Sequence, residues 1–257
     1  QTLWFFFNMT DYSQYLQEGF NLPHDVVELP SRGKFYKNKK SALKVGYLTA
    51  MDENILLADN KNNDIISTLL RNKIYETDFH PDELLDCDIE AILIFLRNTA
   101  FGSEYKLILR DPKTLQEFEV STQLDELNIK KPLHQPDADG LFTFVLPVGG
   151  QTVKCKMLNG YDQKELKKFE DAYPKGVVAP VQTKRLEMQI ISIDNTSDKG
   201  DIAKYIQQMP IADSKFIRNS LKDSEPRLDL ERVFTAPSGE KVSARVTFGA
   251  EFFRPFF

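Results

Sequence analysis

Short apolar-polar alternations and helical periodicities follow one another along this chain in segregated groups, and that order limits the fold more than any single motif. Residues 26–29 and 42–48 alternate as strands around a Pro-Ser-Arg-Gly turn. Two helical patterns follow. Residues 64–75 carry Ile65, Ile66, Leu69, Leu70 and Ile74 at helical spacing, and residues 82–98 carry Leu85, Ile89, Ile92, Leu93 and Leu96. Such an apolar stripe must be buried against another element. A hairpin is predicted at 104–109 and 117–121, around the turn DPKT at 111–114.

The same order then returns. Residues 141–147 and 151–158 form a hairpin around Val148-Gly149-Gly150, and Asp162 with Glu165 predicts a capping box for a helix bearing Leu166, Phe169 and Tyr173. Residues 186–194, LEMQIISID, read as a strand. Ser197 and Asp198 start a helix with Ile202, Tyr205, Ile206 and Met209; Pro210 interrupts it, and residues 213–222 supply another with Phe216, Ile217 and Leu221. A last hairpin turns at Pro237-Ser238-Gly239. Strands and helices grouped this way predict an α+β fold of two related halves, each with short antiparallel strands and a pair of amphipathic helices. The expected organisation is an arm at 1–24, a first domain at 25–140 and a second at 141–257, with 174–182 as an alternative boundary because PKGVVAPVQ is linker-like.

At 257 residues and 41% hydrophobic, the chain can bury sizeable cores without staples. Only Cys87 and Cys155 are present, so no disulfide framework is expected; Cys155 alternates with Val153 and Met157 as a small buried apolar group. No apolar run reaches the roughly 20 residues of a membrane-spanning helix, so no membrane partner is predicted. Leu3 to Phe7, an apolar stretch without a basic leader, reads as an upstream extension or as an arm that docks on a neighbour.

Chemistry is hard to find. His24, His80 and His134 and the two cysteines are not paired at metal-ligand spacing, and neither a nucleophile elbow nor a phosphate loop occurs. No catalytic, metal or cofactor residue is assigned, and a non-enzyme is expected. The alternative is a carboxylate-dependent hydrolase using Asp52 and Glu53. A further alternative is nucleic-acid binding through residues 32–40, where Arg32, Lys34, Lys37, Lys39 and Lys40 enclose Phe35 and Tyr36. A net charge of −5 favours instead a rim that meets an acidic partner protein.

LPSRGKFY at 29–36, MDENILL at 51–57, LRNTAFGSEY at 96–105, FVLPVGGQTVKCKML at 144–158, QQMPIADSKFIR at 207–218 and FFRP at 252–255 together resemble the baseplate hub assembly proteins of the T-even phages. The resemblance implies a protein made in the infected cell's cytoplasm that helps form, or joins, the hub of the tail baseplate. Its partners would be other hub or tail proteins, with self-association left open. Many such relatives carry CPxC turns in two hairpins. Here Asp111, Thr114, Thr235 and Ser238 occupy those places, so the turns are expected to be held by proline and hydrogen bonds and not by zinc. The contact candidates are Phe252, Phe253, Phe256 and Phe257 of the aromatic tail, with Arg32, Lys34, Phe35 and Tyr36.

Overall fold

A computed structural model describes residues 23–57, 65–248 and 250–253. Residues 1–22 of the arm expected at 1–24, and the terminal Phe256 and Phe257, therefore lie outside the described residues, while His24 belongs to the first strand. The fold is α+β, as the grouped periodicities predict. Strands β1 (His24–Glu28) and β2 (Ala42–Gly46) pair antiparallel, with Val27 opposite Leu43. Three helices follow, α1 (Ala50–Leu57), α2 (Ile65–Lys73) and α3 (Asp86–Phe101). The hairpin of β3 (Glu104–Arg110) and β4 (Glu117–Gln123) comes next.

The Pro-containing connector at 128–140 contains a two-residue strand, β5 (Ile129–Lys130). Beyond it, β6 (Leu141–Val145), β7 (Thr152–Lys156) and β8 (Ile190–Ile193) form a three-stranded sheet. Phe142 faces Cys155 and Phe144 faces Val153 on its buried side. The helices α4 (Gly160–Asp171), α5 (Val181–Gln189), α6 (Lys199–Gln208) and α7 (Ile211–Ser224) accompany it. Strand β9 (Arg227–Leu228) returns to pair with β5, and β10 (Glu231–Thr235) with β11 (Lys241–Arg245) make the last hairpin.

Three local readings need correction. The capping box of α4 is formed by Asn159 and Asp162, one turn before the pair named above: Asn159 Oδ1 accepts the Asp162 N–H at 3.1 Å and Asp162 accepts the Asn159 N–H at 3.1 Å. The helix predicted from residue 82 is preceded by a 3-10 turn, Pro81–Glu83, in which the His80 ring caps the Asp82 N–H. It breaks because Leu84 and Leu85 both turn inward, 0% and 3% exposed. Residues 186–189 are helical within α5, and only the β-branched run from Ile190 is strand.

Apolar side chains bury in two clusters. The first gathers β1, β2 and α1–α3 and also takes Leu230, Val246, Phe252 and Phe253 from the chain's end; the second holds residues from Phe142 to Leu221. Each fully buried large side chain is worth about 1.5–3 kcal/mol relative to exposure, so neither cluster is optional. Cys155 is 0% exposed in the second cluster, where burial pushes its thiol up to about 12, and it packs as an apolar group.

Candidate partner-contact groove

The segment LPSRGKFY folds as a tight loop because α3 holds it from beneath. Asp88, in the first turn of α3 and 0% exposed, accepts the Ser31 N–H at 2.9 Å and the Tyr36 hydroxyl. Tyr36 Oη in turn accepts the Leu85 N–H at 3.1 Å, one of the donors that α3 leaves unpaired at its start. Tyr36 is therefore a buried anchor, 4% exposed, and is corrected from a partner-contact residue to a loop-positioning one.

Gly33 makes the turn. Its φ is +69°, and a Cβ there would lie 2.5 Å from the Lys39 carbonyl oxygen. Gly33→Ala is expected to cost about 2 kcal/mol, read as a lowered urea midpoint, since left-handed backbone is strained for any residue with a Cβ.

The loop leaves Arg32 and Lys34 exposed on one side and turns Phe35 partly inward, where it packs on Phe142 at 5.9 Å between centroids. Opposite stands the connector. Lys34 Nζ donates to Gln135 Oε1 at 2.6 Å, Lys39 Nζ donates to the Ala138 carbonyl at 2.7 Å, and the Leu133 N–H donates to the Asp223 carbonyl at the end of α7 at 2.8 Å. Gly140 allows the close approach, as a Cβ there would sit 3.0 Å from the Lys34 carbonyl oxygen. Between loop and connector lies a groove of about 360 Å³ that takes in Arg32, Lys34, Phe35, Ile129, Lys130 and Lys131. Three of the named contact candidates thus share one site. Lys130 and Lys131 were missed because they sit in the Pro-containing connector, although the cationic pair before Pro132 was a visible signal.

Other candidates fall elsewhere. Phe252 and Phe253 are 0% and 2% exposed and close the first cluster, so they are corrected from contact residues to core residues. Asp52 is 0% exposed; it accepts the Thr49 N–H and hydroxyl, both at 2.7 Å, and pairs with the equally hidden Lys73, while Glu53 points to solvent. One carboxylate is thus buried in an ion pair and the other stands in solvent.

The turns DPKT and TAPS, 127 residues apart at Asp111 and Ser238, meet in space. Ser238 donates its N–H to Asp111 Oδ2 at 3.0 Å and its hydroxyl to Oδ1 at 2.7 Å, and Lys113 and Thr114 add their N–H groups at 2.9 and 3.3 Å. Burial works to raise this carboxyl, but the donors outweigh it and hold it at about 2. Both oxygens are engaged, and Thr114, Thr235 and Ser238 are poor zinc ligands, so these residues do not fit a zinc ion. The carboxylate ties the two hairpins directly.

Comparison with curated proteins and with solved structures returned no match. A family model described as T4 bacteriophage base plate protein matches residues 23–254, from the first described strand through the aromatic residues that close the core. On that match, which covers both clusters and both walls of the groove, the chain belongs to the T4 bacteriophage base plate protein family.

Proposed function

We propose that this base plate protein acts in the hub of the tail baseplate, as a component or an assembly factor, and that it works through protein contacts and not through catalysis. One observation carries the second half of this reading. Among the described residues, each buried charged side chain is engaged in holding the fold: Asp52 with Lys73, Asp88 with Ser31 and Tyr36, Arg97 with three carbonyls, Asp111 with Ser238, and Asp213 with the Val148 and Gly149 N–H groups at 2.8 and 2.9 Å. A catalytic acid or base in a cleft is typically buried yet available to a substrate. Here the fully buried charges already have partners, which leaves the surface as the main working part, although Asp52 Oδ1 is left without a hydrogen bond among the described residues and the raised carboxyl of the half-buried Glu225 faces a depression.

Assembly in the host cytoplasm and contact with other tail proteins follow from the same reading, with self-association a secondary mode. The test is chemical cross-linking in phage-infected cells that produce the tagged chain, with cross-linked peptides identified by mass spectrometry. Cross-links to hub proteins are the expected result; cross-links confined to non-tail proteins would overturn it. Quantifying the chain in purified virions separates the two roles, since a permanent component has a fixed copy number and an assembly factor has none.

A further inference from the structure

We infer that the groove between residues 30–35 and the connector receives a short extended segment of a partner protein in which carboxylates alternate with apolar side chains. This rests on the contact-surface reading above and names the chemistry of the contact. Arg32, Lys34, Lys130 and Lys131 all border the groove, and among the described residues no acidic one lines it. Only Lys130 is neutralised, by Asp229 at 2.9 Å; among the described residues Arg32, Lys34 and Lys131 make no ion pair. In a chain of net charge −5, the three unpaired cations Arg32, Lys34 and Lys131 around one depression make a local excess of positive charge, opposite in sign to the whole. A single carboxylate between two of them gains from both, and more as the bound segment excludes water.

The apolar part of the ligand is set by the floor. Ile129 is 49% exposed and Phe35 is only partly buried, so the depression offers hydrocarbon beside its charges. A volume of about 360 Å³ suits a few side chains and not a folded domain. The walls are also prearranged. The Asp88 anchor fixes one, and the β5–β9 pair with the Leu133 bond to Asp223 fixes the other, which limits the entropy lost on binding.

A nucleic acid is the competing occupant, and the same residues argue against it. Binding a single strand draws on aromatic faces that stack bases. Tyr36 is buried against Asp88 and packed edge-on to Phe79, while Phe35 packs against both apolar clusters. Tyr36 thus serves the interior, and Phe35 offers the groove only the part of its ring that the two clusters leave uncovered. Three unpaired cations with so little stacking surface, on a net acidic protein, suit a short acidic peptide better than a phosphate track.

The experiment uses the full chain and three fluorescein-labelled probes in fluorescence anisotropy: a peptide alternating Glu and Leu, its Lys-Leu counterpart, and oligothymidylate. Binding of the Glu-Leu probe above both others is expected, weakening as salt is added. The double variant Arg32→Glu, Lys131→Glu should lose about tenfold or more in affinity, roughly 1.4 kcal/mol. Lys241→Glu, on the distant last hairpin, should bind as the parent does, and circular dichroism should show both variants folded. In this assay three results would overturn the inference: no Glu-Leu binding at low salt, binding unchanged in the double variant, or a preference for oligothymidylate. A double variant that still cross-links to hub proteins in infected cells would sink the groove while leaving the baseplate reading standing.

Discussion

Replacing Arg97 by alanine is expected to destabilise the protein by about 4 kcal/mol and to release the chain's end from its core. Arg97 is 1% exposed, yet among the described residues the charge it brings into α3 forms no ion pair with a carboxylate. Its guanidinium instead donates to three carbonyls: Nε to Phe252 at 3.1 Å, Nη1 to Gly102 at 2.5 Å and Nη2 to Glu104 at 2.9 Å. The first of these lies 155 residues away, so one side chain fastens the end of α3, the start of β3 and the closing turn Ala250–Phe253. The Tyr105 and Phe252 rings cover it, with its central carbon 5.2 and 5.7 Å from their centroids.

Truncation leaves three carbonyls short of a donor and opens space beneath two rings. An unsatisfied buried acceptor costs about 1–3 kcal/mol, and the lost ring contact adds to it. Arg97→Lys keeps the charge but offers it as a point and not a fork, so it should recover only part of the loss. Thermal melts of the three proteins, with limited proteolysis followed at the C-terminal peptide, check both claims. An alanine variant that melts with the parent, or whose terminal peptide stays equally protected, would refute them.

Local features were legible in the sequence, and long-range pairings were not. The hairpins at 104–123 and 231–245, the Asp198 cap and the burial of Cys155 depend on residues a few positions apart, so alternation and turn chemistry suffice. Helix α5 was hidden because Leu186, Met188 and Ile190 alternate like a strand. Its side chains from Lys184 on, none branched at Cβ, nevertheless favour helix, and Leu186 and Gln189 turn inward together at helical spacing.

Arg97 and Asp88 stand on the buried stripe of α3 in register with Leu85, Ile92, Leu93 and Leu96, which was the available sign that they are interior. What they bind could not be read, because Ser31, Tyr36 and Phe252 reach them only through tertiary folding. The groove follows the same division. Its basic loop was visible as a charge run, whereas the opposite wall depends on β5 meeting β9 and on where α7 ends.

Glu225→Gln is expected to stabilise the protein by about 2–3 kcal/mol at pH 8 and to make almost no difference below pH 5. Glu225 caps the C-terminal end of α7, the negative end of its dipole, where the chain leaves the second cluster for the first. Burial raises its carboxyl from an ordinary 4.5 to about 7, and the nearby charges of Asp86, Glu90 and Asp88 add to the rise, against a smaller opposing pull from Arg227. The surrounding groups are mixed. Burial also raises the Asp86 carboxyl, against the pull of Arg185, Glu90 has Arg245 at 3.6 Å, and Arg185, Arg218 and Lys222 border the depression that Glu225 shares with Asp86 and Gln189.

The sign follows from proton binding. Between about 4.5 and 7 the folded state keeps a proton on Glu225 that the unfolded chain has lost, so stability falls as pH rises across that window and is fully present below it. At about 1.4 kcal/mol per pH unit the upper bound is about 3 kcal/mol, trimmed by partial exposure of the side chain. Glutamine is neutral at every pH and removes this dependence. Asp111 acts oppositely and lower, because a carboxyl held at about 2 contributes stability that is lost as pH falls from about 4 towards that value. The parent should therefore lose stability from about pH 5 upward, and the Gln variant should lose less of it, the carboxyls of Asp86, Asp88 and Glu90, which burial also raises, keeping part of the fall in both proteins. Urea titrations at pH 5, 6, 7 and 8 measure the difference directly; parallel curves for the two proteins would show that Glu225 is ionised in the folded state throughout.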